Sequence, residues 1–391
     1  MTKLRKFLNV NFAVEPTLYP TKRGTHMQAN HLLSLTAGAA LAGGIAVAPV
    51  PASVPAAAPD IQLTSGENQD VVIDVIRHAQ MISPYENLLT PSPAFPGAPL
   101  SDLGLQQAQD VGQKLFDELG PVAGIFAGQG LREMQTSAPF AALENMSDNV
   151  QILPGLNEVD SGIYALDPIE SLGGRLAFLT VGAWSLGAPF GLALVPGPGS
   201  EDGNGLMFNA RFTDAINTMY DHAIANPIVS DNGQITDVAF NSEASIFAWV
   251  LMNVKNPDIP FFLQRIMESH TVANGLSTIL LPNTGIVQIE GNPTDGWTLL
   301  SWDGEAIPQD PDLASALFVD VRDVVLPSQT ALWNIGEAIL TSDPTTIMNA
   351  VQSGFEQISS ALTQFPGAVL NDIINAFGGS GDALGDVFAG L

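Results

Sequence analysis

From Asp70 to Trp302, short apolar runs of strand character alternate with segments of helical periodicity. That alternation admits few folds: it predicts a three-layer α/β/α sandwich around a mostly parallel, mixed sheet. The first run, Val71 to Ile76, is β-branched and broken only by Asp74, the composition of a strand buried on both faces. A Pro-rich loop (Pro84 to Pro99) follows, and then a helix with Ser101 as N-cap and Leu105, Ala108, Leu115 and Leu119 on one face. Further strands are expected at Val122 to Ala127, Val150 to Leu153, Thr236 to Phe240, Val287 to Glu290 and Trp297 to Trp302. Helices are expected at Leu131 to Glu144, Phe208 to Ala225, Glu243 to Asn253 and Ile259 to Glu268.

Three segments stand apart from this pattern. Residues 1–58 open with a basic stretch from Lys3 to Arg23, then an apolar Ala/Gly-rich run (Leu32 to Val47) and small residues with prolines. They read as an export signal and linker, which places the protein outside the cell or at its envelope. The apolar run falls short of the ~20 residues of a membrane span. The Gly/Pro-rich stretch 161–205 interrupts the alternation and reads as a cap or lid inserted in a domain spanning 69–305. Residues 306–391 form an acidic extension with amphipathic helices expected at Leu313 to Val325, Gln329 to Leu340, Thr345 to Leu362 and Ala368 to Phe377, and a frayed end from Gly378. Self-association or envelope association through these helices is a further expectation, and the extension is expected to be dispensable for chemistry.

Composition removes whole classes of function. The net charge is −27, with 13 Lys plus Arg against 40 Asp plus Glu, so a basic stripe for nucleic acid is missing and no nucleic-acid partner is expected. The chain has no cysteine, which excludes thiolate catalysis and disulfides. Five histidines without a helical His pair argue against a metal site, and no metal or other cofactor is expected.

The chemistry-bearing point is Arg77-His78-Ala79-Gln80, where the first strand ends. In an open α/β sheet that is the crevice where ligands bind. A histidine there can attack phosphorus, and an arginine can grip two phosphate oxygens. A surface histidine beside an unrelated arginine is the plain alternative. Three further segments follow in order: Pro99-Leu100-Ser101-Asp102-Leu103-Gly104-Leu105-Gln106-Gln107-Ala108, then Leu131-Arg132-Glu133-Met134-Gln135-Thr136-Ser137, then Leu156-Asn157-Glu158-Val159-Asp160-Ser161-Gly162.

With Arg77-His78, these segments resemble the histidine phosphatase (phosphoglycerate mutase-like) superfamily. The resemblance implies a metal-independent phosphomonoester hydrolase with a small phosphomonoester substrate and a phosphohistidine intermediate. By that resemblance His78 is the nucleophile, Arg77 and Arg132 bind phosphate, and Glu158 is the general acid. Two departures stand out. Ala79 replaces the family's glycine, an exchange expected to be tolerated. In Val238-Ala239-Phe240-Asn241-Ser242-Glu243, Ser242 stands where the family places its second phosphate-binding histidine. Glu243 follows where the acid-phosphatase branch carries a carboxylate proton donor, so it competes with Glu158; its plain alternative is a helix first-turn carboxylate. Loss of that histidine opens the alternative of a catalytically weak or inactive relative that binds a phosphorylated ligand or a protein partner at the envelope. Ser242→His is expected to restore phosphate affinity. Arg211 matches a family arginine, with an ordinary surface ion pair as its expected role. His222 is expected to be a helix-surface histidine.

Overall fold

The computed structural model describes residues 69–90, 96–188, 202–271 and 280–376. The expected export signal and linker, the middle of the Pro-rich loop, the latter part of the expected lid, the side chain of His270 and the end from Gly378 lie outside the described residues.

Seven strands form one sheet in the order β3-β2-β4-β1-β5-β6-β7. These are β1 (Val71–Arg77), β2 (Gly124–Ala127), β3 (Gln151–Ile152), β4 (Thr236–Asn241), β5 (Ile286–Asn292), β6 (Gly296–Trp302) and β7 (Glu305–Ala306). β1, β2, β3 and β4 run parallel, whereas β5, β6 and β7 extend the β1 side in antiparallel fashion. The six expected strands are present; β7 is too short to carry a periodic signal.

Strands β1 and β4 are buried along nearly their whole length because helices cover both faces. On one face, α1 (Asp102–Leu119) and α2 (Leu131–Leu143) set Val111, Leu115 and Phe140 against Ile76, Ile125, Val238 and Phe240. A Cβ on Gly112 of α1 would lie 2.9 Å from the backbone nitrogen of Phe140, so glycine permits this helix contact. On the other face lie α3 (Leu172–Ser185), α4 (Gly205–Ala225) and α5 (Glu243–Asn253). There Trp184, Phe208, Phe212 and Trp249 form a chain of stacked and tilted rings over the sheet.

α3 lies inside the expected lid and was not foreseen, because its Gly-rich sequence hides the helical period. It has a good N-cap: the Ser171 side chain accepts a 3.0 Å hydrogen bond from the Gly174 amide. Ala177, Val181 and Trp184 then bury one face in the core. At least this part of the insertion is core-building structure.

After α6 (Ile259–Thr271) and the β5-β6-β7 meander come two long helices, α7 (Leu313–Thr341) and α8 (Pro344–Ala376). Four shorter helices had been expected, with breaks near Pro327 and Pro366. The structure corrects this, since both prolines lie inside continuous helices. Packing of α7 on α8, with Ala331 and Ile335 against Gly354, offsets the lost backbone bonds.

α7 is also tied to the domain. Arg322, 5% exposed, donates to the carbonyls of Leu251 (3.2 Å) and Val254 (2.7 Å) at the end of α5, and the Ser315 hydroxyl accepts from the Ile259 amide. A cut after Asp303 would leave these helix ends bare, so the extension is not a detachable appendage. Its outer face carries exposed Leu340, Met348 and Phe355. Among the described residues no helix is long and apolar enough to cross a membrane.

Two central strands carry buried acids. Burial pushes Asp74 up to about 7, with Gln288 opposing through a hydrogen bond, and pushes Asp237 up to about 8. Raised folded-state values mean that the native chain holds these protons more tightly than the unfolded one. Their stabilisation is complete below the ordinary carboxylate range and is lost as pH rises through about 7 to 8. Chemical denaturation is therefore expected to show stability falling by on the order of 2–4 kcal/mol between mildly acidic and mildly alkaline pH. Asp237→Asn should remove part of that slope; an unchanged slope would show that the acid is not responsible.

Candidate active site

The parallel pairing of β1 and β4 places Arg77 opposite Asn241, and the next residues, His78 and Ser242, leave the sheet side by side. The His78 amide donates to the Asn241 carbonyl at 2.8 Å, which carries the pairing one step past the strand. β2 pairs with the other side of β4 and leads into the N-terminus of α2, which supplies Arg132. β3 leads to the loop bearing Glu158, and α5 begins at Glu243. All six sequence-predicted residues, Arg77, His78, Arg132, Glu158, Ser242 and Glu243, thus gather at the carboxyl edge of the parallel strands.

The segment from Pro99 to Ala108 grips the chain just after His78. The Ser101 hydroxyl caps α1 by accepting from the Gly104 amide (3.0 Å) and donates to the Gln80 side chain (2.8 Å). The Gln80 amide donates to Gln107 Oε1 (2.9 Å), and the Leu100 amide to Gln135 Oε1 (2.8 Å). A Cβ on Gly104 would meet the Gln80 carbonyl at 2.0 Å, so the first turn of α1 can approach this loop only as glycine. Ala79 is fully buried and donates its amide to Thr136 Oγ1 at 3.0 Å, so the methyl in place of the family's glycine is accommodated.

His78 is buried, and its Nδ1 lies 2.8 Å from its neighbour's carbonyl, that of Ala79. Since a carbonyl only accepts, Nδ1 carries the proton and Nε2 keeps its lone pair. Burial, reinforced by the charges of Arg132 and Arg77, holds the imidazole well below its ordinary pKa and hence neutral.

Each arginine meets carboxylates. Arg77 Nη1 is 2.8 Å from Glu243 Oε2, and Glu86 lies 3.8 Å from Nη2. Glu243 also accepts from the amides of Leu280 (2.8 Å) and Leu281 (3.1 Å), yet burial lifts it to about 7. Glu158 accepts from the Val159 amide (2.8 Å) and the Ser245 hydroxyl (2.9 Å), and burial raises its pKa against the opposing pull of Arg132.

Arg132 is 2% exposed and contacts Glu133 Oε1 through Nε at 2.9 Å. Glu133 was inside the recognised segment but had no expected role. Adjacent helical residues normally point apart, so spacing gave no signal for this pair. A cavity of about 10 Å³ beside Arg132, lined by Met81, Tyr85, Leu89 and Ala98, has room for about one water molecule. Among the described residues no three His, Asp or Glu side chains are grouped so as to hold a metal ion.

Two readings of neighbouring residues are corrected. Arg211 is no surface ion pair: it forks onto both oxygens of buried Asp202 (2.7 and 2.6 Å) and donates to the carbonyls of Gly155 (2.8 Å), Asn157 (2.9 Å) and Glu158 (3.2 Å). It thereby shapes the loop that presents Glu158. His222 is partly buried, and its ring meets the edge of Phe126 at 5.4 Å.

Fold and site together define an α/β protein whose reactive groups surround a neutral histidine at the end of the first parallel strand. Residues 73–175 match the model of the histidine phosphatase superfamily (branch 1). It is 43% identical over 316 residues to the PE-PGRS family protein PE_PGRS11 of Mycobacterium tuberculosis, a match that covers 80% of this chain and 50% of that protein. The chain therefore spans about half the length of the curated relative it matches. Among solved structures, a mycobacterial glucosyl-3-phosphoglycerate phosphatase aligns at 16% identity and TM-score 0.43, over 60% of this chain and 99% of that one. Phosphoglycerate mutase from Bacillus anthracis aligns at 15% identity and TM-score 0.38, over 61% and 96%.

Removing the Arg211 guanidinium would take the countercharge from buried Asp202, which also accepts from the Asp160 amide, and a donor from three carbonyls. Arg211→Met is expected to cost about 3–5 kcal/mol in chemical denaturation. A loss under about 1 kcal/mol would return Arg211 to the rank of a surface pair.

Proposed function

We propose that this chain is a phosphomonoester hydrolase that works through a phosphohistidine at His78. The observation that carries the reading is the Nδ1 contact to the Ala79 carbonyl in a ring kept neutral by burial and two arginines. Nε2 then presents its lone pair to phosphorus without first losing a proton. As the Nε2–P bond forms, the ester P–O bond breaks, and the leaving oxygen takes a proton from Glu158, whose raised pKa keeps it protonated further toward neutrality than an ordinary glutamate. Water then attacks phosphorus and gives a proton to the Glu158 carboxylate; as the new P–O bond forms, the Nε2–P bond breaks, its electron pair returns to Nε2, and inorganic phosphate leaves. Arg77 and Arg132 steady the equatorial oxygens. We assign Glu243 to holding Arg77 rather than to proton donation, because it already accepts from that guanidinium and from two backbone amides. The reading needs no metal, and the basic-then-apolar start of the sequence supports an exported protein.

His78→Asn is expected to fold normally and to lower turnover of phosphomonoesters by at least about a thousandfold. Acid-free quenching of the wild type should trap phosphohistidine, and EDTA should leave the rate unchanged. Turnover surviving in His78→Asn would overturn the nucleophile assignment.

The pH profile follows from the carboxyl groups. Below about 7, Glu243 is increasingly neutral and releases Arg77 for phosphate, while Glu158 holds the proton that the leaving group needs. As pH rises through that value Glu243 recaptures Arg77, and Glu158, whose pKa is raised by burial, gives up its proton somewhere above the ordinary carboxylate range. kcat/KM is expected to fall on the alkaline side by about tenfold per pH unit once the acid limb is reached. Glu158→Gln should remove most of the rate and leave in that limb only the part that Glu243 sets through Arg77; a flat profile in the wild type would exclude a carboxylic acid donor.

A further inference from the structure

In the position that a second phosphate-binding histidine would fill, this chain builds a closed triangle. The Ser242 hydroxyl is fully buried and accepts from Arg132 Nη2 (3.0 Å) and Nε (3.3 Å). It donates its single proton to Glu133 Oε1 at 2.7 Å. Glu133 Oε1 is also the atom 2.9 Å from Arg132 Nε, and the residue is 1% exposed. Its other oxygen, Oε2, is buried with no hydrogen-bond partner. Ser242 therefore has no proton left for a phosphate oxygen, and the guanidinium expected to clamp phosphate already faces a carboxylate.

We propose that Glu133 is a built-in counter-ion that competes with substrate for Arg132 and makes the site select singly charged phosphoryl groups over dianions. The inference rests on the hydrolase reading for its ligand. Repulsion between a fixed carboxylate and a bound anion scales with the anion's charge, so a dianion suffers about twice what a monoanion does. Burial of that carboxylate, with Oε2 left unpaired, strengthens the discrimination, because little solvent reaches it to screen its charge. Glu133 is a positioning residue: it touches Arg132 and Ser242, and it acts on the phosphoryl group through them. The arrangement also revises the expected effect of Ser242→His. An imidazolium at that position would meet Glu133 first, so its gain in phosphate affinity should appear chiefly in the Glu133→Gln background.

The test is calorimetric titration of the full chain with inorganic phosphate at about pH 5, where the monoanion dominates, and about pH 8, where the dianion does. Glu133→Gln keeps the size of the side chain and removes its charge. It is expected to tighten binding by at least about tenfold at the higher pH and by only about the square root of that factor, on the order of threefold for a tenfold gain, at the lower. Glu133→Ala should shift the pH dependence in the same direction, which keeps the test open if the amide variant does not fold. A role limited to packing would change melting temperature without this pH-selective gain. Equal or weaker phosphate binding in both variants at about pH 8 would overturn the proposal, as would a gain of the same size at both pH values. Turnover separates this inference from the reading beneath it. Phosphate binding that responds as expected in a chain with no His78-dependent turnover would sink the hydrolase and leave the counter-ion standing. His78-dependent turnover with Glu133 variants that bind phosphate no tighter would do the reverse.

Discussion

The parallel pairing of β1 with β4 is the constraint on which the site depends. Its register sets Arg77 against Asn241, and the His78 amide extends the ladder by bonding the Asn241 carbonyl. The two residues after the ladder diverge into different loops while their backbones remain adjacent. A shift of one residue in either strand would send His78 or Ser242 to the opposite face of the sheet. The buried strands specify that register strongly, because each face is packed by its own helices and neither tolerates an exchange of side chains.

Around this pairing the chain keeps the nucleophile's local machinery and remakes what faces it. The loop after His78 is held by Ser101, Gln107, Gln135 and Thr136, which fix the backbone on which the imidazole stands. The tautomer is fixed within two residues, by the Ala79 carbonyl. Across the crevice, the cations are met by carboxylates: Arg77 by Glu243, Arg132 by Glu133. An acidic protein with few cations thus concentrates two arginines at one point and tempers both. The buried charges are paired, as the cost of desolvating a lone ion requires.

The surrounding scaffold serves the same edge. Arg211 organises the Glu158 loop from α4, and Ser245 in α5 donates to the same carboxylate, so the candidate acid is positioned by both helices on one face of the sheet. α7 reaches the end of α5 through Arg322, which links the C-terminal helices to the element that begins at Glu243.

The sequence alone determined the layers, because strand composition, helical period and cap residues are local properties that survive without tertiary context; that Arg132, Glu158, Ser242 and Glu243 would join Arg77 and His78 was what the resemblance to the histidine phosphatase superfamily implied. The expected start of α5 at Glu243 and its end at Asn253 coincide with the observed helix for that reason. Elements whose existence depends on distant partners were not legible. α3 owes its helix to an apolar face buried under α4 and α5, and the breaks expected at Pro327 and Pro366 vanish because α7 and α8 hold each other straight. Glu133 was the least visible. Neighbours along a helix do not face one another, so only the burial of the Arg132 side chain, turned back toward Ser242 across 110 residues of sequence, brings the carboxylate into the site. Charge pairing at such a distance in sequence is decided by the fold, since a buried ion takes whatever partner the packed chain places within reach.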